Sequence, residues 1–233
     1  MRLGLLGGTF NPIHNGHLAI ARHTREALGL DRILLIPTGD PPHKPDDILA
    51  PAKDRYEMVK LAAQQEPGLA VSDIEIRRVG KSYTVDTIHS LIEQYGNETE
   101  LFFIIGIDAF LEFPSWKHPE ELLRSCNFVV VSRPGSTFTP LVRMPPLASI
   151  MAASPSTCGK DLHERMAKLS QLDVHQRHRL DIPVSEDKSV VLLDLPPCEI
   201  SASDIRAKLR QGLPVANLLP PLVESYIIHH HLY

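Results

Sequence analysis

Short apolar runs recur along this chain. Between them lie segments in which apolar residues recur among polar ones at helical spacing. The runs are continuous stretches of Ile, Leu, Val and Phe, which is typical of strands in a parallel sheet covered on both faces. They predict strands at about 2–6, 32–37, 69–71, 101–105, 128–132 and 190–193. The helical spacing predicts helices at about 16–28, 52–65, 85–95, 120–125, 203–211 and 222–231.

This alternation of strand and helix predicts an α/β fold. We expect a doubly wound, Rossmann-like parallel sheet with helices on both faces, together with a small C-terminal helical part. Ligands of such sheets bind beyond the carboxyl ends of the strands. The functional loops are therefore expected after Leu6, Pro37, Ile105 and Ser132.

The stretch 134–188 interrupts the alternation, because it contains several prolines and then a polar run rich in His, Arg, Lys and Gln. We interpret it as an insertion with one or two short helices, of which 162–171 is a candidate. No sequence pattern places its His163, His175 and His178 together. The length otherwise suits a single domain over 1–233.

Composition and charge narrow the class of protein. A formal net charge of -4 gives no overall footprint for nucleic acid or for an anionic membrane surface. No apolar run approaches the length of a membrane span, and the first residues do not form a signal peptide. Cys126, Cys158 and Cys198 are widely spaced without a C-x-x-C motif, which favours a reducing compartment such as the cytoplasm. The sequence leaves the oligomeric state open, a homo-oligomer included.

The most specific pattern is Gly-Gly-Thr-Phe-Asn-Pro-Ile-His-Asn-Gly-His at 7–17, between the first predicted strand and the first predicted helix. Glycines let backbone N–H groups approach a phosphate closely, because no Cβ intervenes. The start of a helix offers unpaired N–H donors to an anion, and His14 and His17 add imidazole donors. The segment therefore predicts a site for nucleotide phosphates. It contains neither the G-x-G-x-x-G pattern of redox dinucleotide sites nor a Walker A loop.

A second candidate anion site is Ile-Ser-Ala-Ser-Asp-Ile-Arg at 200–206, where another helix begins. Ser201 or Ser203 could simply cap that helix. The same hydroxyls, with the free N–H groups of the first turn and Arg206 one turn further, could also bind an anion.

Both segments resemble signature motifs of the nucleotidyltransferase superfamily, whose members transfer a nucleotide monophosphate from a nucleoside triphosphate to a phosphate-bearing acceptor. The first resembles its His-x-Gly-His motif, and the second resembles its Ile-Ser-x-Ser/Thr-x-Ile-Arg motif, with Ala202 where a hydroxyl residue is more frequent. The resemblance implies that the acceptor's own phosphate attacks the α-phosphorus, while the protein positions the reactants and stabilises charge. It assigns His14 and His17 to the α-phosphate, Gly7, Gly8, Thr9, Phe10 and Gly16 to the nucleotide, and Ser201, Ser203 and Arg206 to the opposite side of the triphosphate.

Three motifs in the middle of the chain resemble those of the bacterial nicotinate-nucleotide adenylyltransferases. They are Thr-Gly-Asp-Pro-Pro-His-Lys at 38–44, Ser-Tyr-Thr-Val-Asp-Thr at 82–87, and Gly-Ile-Asp at 106–108 leading to Pro-Ser-Trp-Lys at 114–117. The resemblance extends over 1–135 and 190–233. It implies AMP transfer from ATP to nicotinate mononucleotide, which yields deamido-NAD and pyrophosphate. Mg²⁺ would be bound through the ATP phosphates, with no dedicated protein ligand.

The same resemblance assigns residues to the acceptor, and two of them have a plainer structural explanation beside it. Lys44 would meet phosphate charge, or be a solvated loop lysine. Trp116 would stack on the pyridinium ring of the acceptor, or pack in the core. Tyr83 and Thr84, at a helix start, would offer N–H groups to the nicotinate carboxylate and so favour the acid over the amide.

On the ATP side the resemblance adds Gly106, Asp108 and Arg133. Asp108 would bind ribose hydroxyls or a metal-bound water, or else cap a helix. Arg133 would contact the adenosine, or form a surface ion pair.

Other functions stay open at this stage. They are the same chemistry on nicotinamide mononucleotide or phosphopantetheine, a CTP-using relative, and a non-catalytic nucleotide-binding protein. The ring-binding motifs speak against phosphopantetheine, which has no ring to stack. The intact His14, His17, Ser203 and Arg206 speak against a non-catalytic protein.

Overall fold

The computed structural model describes residues 1–40 and 49–233. Strands in chain order are β1 (Arg2–Gly8), β2 (Arg32–Pro37), β3 (Leu69–Val71), β4 (Glu100–Gly106), β5 (Asn127–Val131), β6 (Arg179–Pro183) and β7 (Ser189–Leu193). Helices are α1 (Asn15–Leu28), α2 (Ala52–Ala63), α3 (Thr84–Tyr95), α4 (Ile107–Phe110), α5 (Pro119–Ser125), α6 (Leu147–Ala153), α7 (Pro155–Cys158), α8 (Leu162–Asp173), α9 (Ala202–Arg210) and α10 (Pro221–His229). Short 3-10 helices lie at Phe113–Ser115 and Thr139–Arg143.

The chain divides into two compact units. We call residues 3–83 and 198–233 the terminal unit, and residues 1–2 and 84–197 the central unit. Each contains residues that the sequence analysis assigned to a function.

In the terminal unit, β1, β2 and β3 pair in parallel, with β2 in the middle. Leu3, Leu5, Ile33 and Leu35 are fully buried, which explains why these strands are continuous apolar runs. Helix α1 ends at Gly29, whose left-handed conformation (φ 57°) lets its N–H bond to carbonyls of the last turn. The parallel pairing places the loops that follow β1 and β2 at one edge of the sheet.

In the central unit, β4, β5 and β7 pair in parallel, and β6 pairs antiparallel with β7. A cluster of aromatic rings fills its core, with Phe110 and Phe113 stacked at 5.1 Å between centroids and Phe128 beside both. The aromatic side chains hold the segment after β4 against β5.

The predicted α/β fold class is confirmed, and the predicted strands and helices lie within a few residues of the observed ones. Strand β6 was missed, because its alternation of buried Leu180 and Ile182 with more exposed neighbours lies within the polar run of 134–188. The expected one or two helices in 134–188 are too few: the candidate helix at 162–171 is present as α8, and α6 and α7 precede it. That 134–188 is an insertion, and that the chain is one domain, stay predictions. No helix in the described part of the chain is long and apolar enough to cross a membrane.

Candidate active site

The turn after β1 is shaped by the side chain of Phe10. Phe10 is buried, with a left-handed backbone conformation of φ 47°. A Cβ on Gly8 would lie only 3.2 Å from the Phe10 ring, so glycine at this position leaves room for the ring. The Phe10 ring meets the His17 imidazole edge-on, with centroids 5.0 Å apart. The Gly-Gly-Thr-Phe motif therefore supports His17 from one side.

His14 and His17 form a ring pair at the start of α1. His14 is the N-cap residue and His17 lies within the first turn. Their ring centroids are 3.7 Å apart and the rings are tilted by 31°. The spacing of three residues explains this proximity, since residues three apart at the start of a helix lie close together.

One hydrogen bond fixes the proton on the neutral His17 ring. The backbone N–H of His14 donates to Nδ1 of His17 across 3.2 Å. A ring nitrogen that accepts carries no proton, so the proton lies on Nε2. His17 can therefore present an Nε2–H donor to an anion.

Gly16 lets two side chains approach the start of α1. A Cβ at this position would lie 3.0 Å from Nδ1 of His14 and 3.2 Å from Sγ of Cys198. Cys198 comes just before the 200–206 motif. The contact thus places the beginning of the second motif beside the first.

The second motif opens α9. Ser201 is the N-cap, and its Oγ accepts the N–H of Asp204 across 3.1 Å. The hydroxyls of Ser201 and Ser203 are 2.9 Å apart. The capping interpretation is confirmed for Ser201, and the two hydroxyls lie at a helix start, where N–H donors point outward.

Arg206 joins the two motifs. Its Nη1 donates to the Asn11 carbonyl across 2.8 Å, although the two residues are 195 positions apart in sequence. Its Nε is buried, with no hydrogen-bond partner among the residues that the structure describes. The histidine pair and the arginine of α9 therefore contact the same short turn of the terminal unit.

Asn11 is a central contact that the sequence analysis did not single out. Its Oδ1 accepts from the Ala50 N–H across 3.0 Å and from the Tyr233 hydroxyl across 2.7 Å. Burial raises the pKa of the Tyr233 phenol, and the charges of Arg206 and Arg55 oppose that rise. The hydroxyl thus stays protonated and donates a hydrogen bond to Asn11. The available signal was the position of Asn11 inside the 7–17 motif, directly after the assigned residues Gly7 to Phe10.

Arg55, in α2, was also missed. It is 1% exposed, and its guanidinium donates to the carbonyls of Ala50 (3.0 Å), Thr9 (2.7 Å), Thr38 (2.6 Å) and Gly39 (2.9 Å). Burial lowers the pKa of this guanidinium. Arginines on amphipathic helices are mostly exposed, so no sequence signal distinguishes this one.

In the central unit, Asp108 and Arg133 pair where β4 and β5 end. Arg133 Nε lies 3.7 Å from Oδ1 of Asp108, and the two side chains are 41% and 57% exposed, respectively. A Cβ on Gly106 would lie 2.5 Å from the same carboxylate oxygen, which explains the glycine. The alternative in which Asp108 caps a helix is wrong, because Gly106 is the N-cap of α4 and Asp108 lies in its first turn. Arg133 does form the surface ion pair that was the alternative to a ligand contact. Both side chains still keep exposed surface that a ligand could contact.

Trp116 is half-buried at the end of the 3-10 helix Phe113–Ser115. Its ring packs against Phe113 and Phe103, with centroids 5.6 and 6.2 Å apart. The packing explanation is therefore true of part of the ring, and the remainder is accessible.

A salt bridge connects the Trp116 segment to the start of α3. Lys117 Nζ lies 3.2 Å from both carboxylate oxygens of Asp86, in the first turn of α3. Thr84 is the first residue of that helix, and the preceding Tyr83 is exposed. The bridge thus holds the tryptophan segment near the helix start that was assigned to the nicotinate carboxylate.

The remaining residues singled out in the sequence are Lys44 and the histidines of 134–188. Lys44 falls in 41–48, outside the described residues. No sequence pattern placed His175 and His178 together, but the structure does. Their Nδ1 atoms lie 2.8 and 3.3 Å from one carboxylate oxygen of the buried Asp194, which follows β7. Their partner is distant in sequence, so spacing within 134–188 could not indicate it. Across the described ranges, no group of three His, Cys, Asp or Glu side chains is arranged to hold a metal ion.

Comparison with known proteins shows the family to which the chain belongs. The sequence profile of the cytidylyltransferase-like family matches residues 5–208. A probable nicotinate-nucleotide adenylyltransferase from Geobacter metallireducens is 41% identical over the whole of this chain and 98% of its own length. A protein of the same name from Moorella thermoacetica is 38% identical, covering all of this chain and 91% of the relative.

Solved structures share the fold. The nicotinic acid mononucleotide adenylyltransferase of Plasmodium falciparum, complexed with NaAD, superposes with a TM-score of 0.68 at 18% identity, over all of this chain and 97% of that one. From its matched profile and its full-length similarity to these relatives, the chain belongs to the cytidylyltransferase-like family and, within it, to the nicotinate-nucleotide adenylyltransferases.

Proposed function

We propose that this protein transfers AMP from ATP to nicotinate mononucleotide, giving deamido-NAD and pyrophosphate. The observation that carries the proposal is the convergence of the His14–His17 pair and Arg206 on the turn after β1. The relatives that cover the whole chain are named for this activity.

The proposed reaction is an in-line displacement at the α-phosphorus of ATP. An oxygen of the acceptor phosphate forms the new P–O bond, the bond from the α-phosphorus to the bridging oxygen breaks, and pyrophosphate leaves with that electron pair. No side chain need act as nucleophile. The protein contributes positioning and stabilisation of the charge on the equatorial oxygens.

Each motif has a proposed part in that stabilisation. His17 donates Nε2–H to the α-phosphate, and His14 lies beside the same phosphate or the leaving group. Gly7, Gly8, Thr9, Phe10 and Gly16 bring backbone N–H groups close to the nucleotide. Ser201, Ser203 and Arg206 bind the triphosphate at the start of α9, and Gly106, Asp108 and Arg133 bind the adenosine side of ATP.

Mg²⁺ fits this site as a companion of ATP. It usually keeps several waters and binds through substrate phosphates with few protein ligands, which suits a chain whose described part holds no metal-ligand cluster. The partly exposed Asp108 carboxylate could accept from a metal-bound water. When bound, the ion would neutralise charge on the triphosphate.

For the acceptor we propose Trp116, Tyr83, Thr84 and Lys44. The accessible part of the Trp116 ring would stack on the pyridinium, and N–H groups at the start of α3 would bind the carboxylate. Lys117 offsets the charge of Asp86 beside that helix start, so a second carboxylate meets less repulsion there. Lys44 would meet phosphate charge.

A turnover assay tests the proposal. The purified chain with Mg·ATP is given nicotinate mononucleotide, nicotinamide mononucleotide or phosphopantetheine, and both pyrophosphate and the adenylylated product are followed. We expect the highest kcat/KM with nicotinate mononucleotide. Absence of pyrophosphate with all three, or a preference for phosphopantetheine, would refute the proposal.

We also propose a reducing compartment such as the cytoplasm. This rests on the use of cysteine, since the chain's three cysteines are free thiols and two of them are buried.

A further inference from the structure

Arg55 has an unusual environment for a cation. Its guanidinium is buried, and its hydrogen bonds go to backbone carbonyls from both sides of the 41–48 segment. No carboxylate lies within ion-pair distance of it in the part of the chain that the structure describes. Burying a charge is costly, and among the described residues that cost is offset by hydrogen bonds to the backbone carbonyls that the guanidinium holds together.

Three of the four acceptors lie in the loops that follow β1 and β2. The guanidinium bonds Thr9 in the first loop and Thr38 and Gly39 in the second. The two loops also contact each other directly, because the Thr38 N–H donates to the Gly8 carbonyl across 2.9 Å. Since β1 and β2 are parallel, both loops lie at the carboxyl edge of the strands, where such sheets bind ligands.

The direction of these carbonyls fixes the direction of the neighbouring N–H groups. In a trans peptide, the C=O and the N–H of the next residue point in opposite directions. The carbonyls of Thr9, Thr38 and Gly39 point inward to Arg55, while the residues themselves are partly exposed. Their peptide N–H groups, which belong to Phe10, Gly39 and Asp40, therefore point away from the Arg55 guanidinium.

We propose that Arg55 is a positioning residue for the phosphates of ATP, acting from behind the two loops. Its planar fork fixes the carbonyl side of three peptide groups so that their N–H side faces the bound anion. Its charge also polarises those peptides and makes the outward N–H groups more electropositive. This inference rests on the proposed function for the identity of the anion.

Arg55→Lys tests the geometry separately from the charge, because lysine keeps the charge and loses the fork. Binding of a non-hydrolysable ATP analogue is measured by calorimetry without acceptor, and turnover is measured separately. We expect at least a tenfold weaker Kd for the analogue and about a 100-fold lower kcat/KM for ATP. The Kd for nicotinate mononucleotide should change less than about threefold, because neither Trp116 nor Tyr83 or Thr84 accepts a hydrogen bond from Arg55.

Arg55→Ala with added guanidinium provides a second test. If the fork acts by position, millimolar guanidinium should restore part of the analogue binding, and methylammonium should not. Should the alanine variant not fold, Arg55→Lys carries the test alone. Arg179→Lys is the control, since Arg179 uses its guanidinium fork for two hydrogen bonds to Asp181 on β6 and for no loop carbonyl that Arg55 holds. It should leave both affinities unchanged.

Three results would overturn the inference. They are a folded Arg55→Lys with unchanged analogue affinity, equal losses of analogue and acceptor affinity, and a loss that merely follows the unfolded fraction in thermal melts. Because analogue binding is read without the acceptor, failure here is distinguishable from failure of the proposed reaction. A wild-type protein that binds ATP but adenylylates none of the acceptors would refute only the latter.

Discussion

At the residue scale, the chemistry of His17 depends on where its proton lies. The bond from the His14 backbone N–H occupies Nδ1 of His17, so the proton of the neutral ring lies on Nε2 and Nε2–H is its donor. An edge-on Phe10 and the ring of His14 restrict its orientation. A donor held in this way costs little reorganisation when charge develops on a phosphate.

We therefore expect His17→Ala to lower kcat by about 10²–10³-fold. Its effect on stability should be about 1 kcal/mol, because the variant loses the contact with the N-cap residue. Steady-state kinetics and thermal melts measure the two effects. His163→Ala, on the exposed surface of α8, is the control and should change neither. A near-normal kcat in folded His17→Ala would remove His17 from the mechanism.

Trp116 is expected to act on the acceptor rather than on ATP. Its accessible ring surface can stack on a pyridinium, an attraction of about 0.5–2 kcal/mol. Trp116→Ala should therefore raise KM for nicotinate mononucleotide about 2- to 30-fold, with KM for ATP unchanged. Trp116→Phe keeps a ring against Phe113 and Phe103 and should retain most of the affinity. Equal losses for both substrates would mean that Trp116 serves only to pack the core.

At the element scale, the start of α9 has two roles that a single substitution can separate. Ser201 caps the helix, and we propose that its hydroxyl also faces the triphosphate. Aspartate caps a helix about as well as serine, but its charge repels an anion.

Ser201→Asp should therefore keep the free energy of unfolding within about 0.5 kcal/mol of wild type and raise KM for ATP about tenfold or more. Ser201→Asn, an equally good cap without charge, is the matched control and should bind ATP far better than the aspartate variant. Urea denaturation and kinetics at constant ionic strength measure the two quantities. Unchanged ATP affinity in Ser201→Asp would leave Ser201 as a cap alone.

The same scale shows what the sequence could and could not predict. His14 and His17 could be assigned from the sequence, because their motif is local and residues three apart at the start of a helix lie close together. The acceptors of Arg206 and Arg55 could not be predicted, because they are backbone carbonyls brought close by the tertiary fold. Strand β6 was missed because only two of its side chains, Leu180 and Ile182, are buried, so a continuous apolar run was not required.

At the scale of the whole molecule, the candidate residues divide between the two units. The terminal unit supplies both phosphate motifs and Arg55, and the central unit supplies Trp116 and the Asp108–Arg133 pair. The proposed reaction uses residues of both units, so we expect activity to require that each unit is folded.

We expect the buried thiol of Cys126 to make the free energy of unfolding depend on pH in the alkaline range. Burial raises its pKa from an ordinary 9.0 to about 12, against the opposing charge of Lys188. In the unfolded chain the thiol ionises near its ordinary pKa, so above pH 9 the unfolded state holds fewer protons than the native state. The free energy of unfolding should therefore fall as pH rises from about 9 towards 12, by up to about 1.4 kcal/mol per pH unit from this group.

In Cys126→Ala the free energy of unfolding should no longer show this contribution to its fall with pH. This holds whatever free energy of packing the substitution costs at neutral pH. The measurement is urea denaturation under reducing conditions at several pH values between 8 and 11, compared with wild type at each pH. Tyr226 provides the matched variant, because burial and its bond to Asp54 raise its pKa to about 12 as well. Tyr226→Phe should keep the Cys126 contribution and remove only the phenol's, which begins near pH 10. A slope between pH 9 and 10 that is the same in Cys126→Ala and wild type would show that the thiol does not govern alkaline stability.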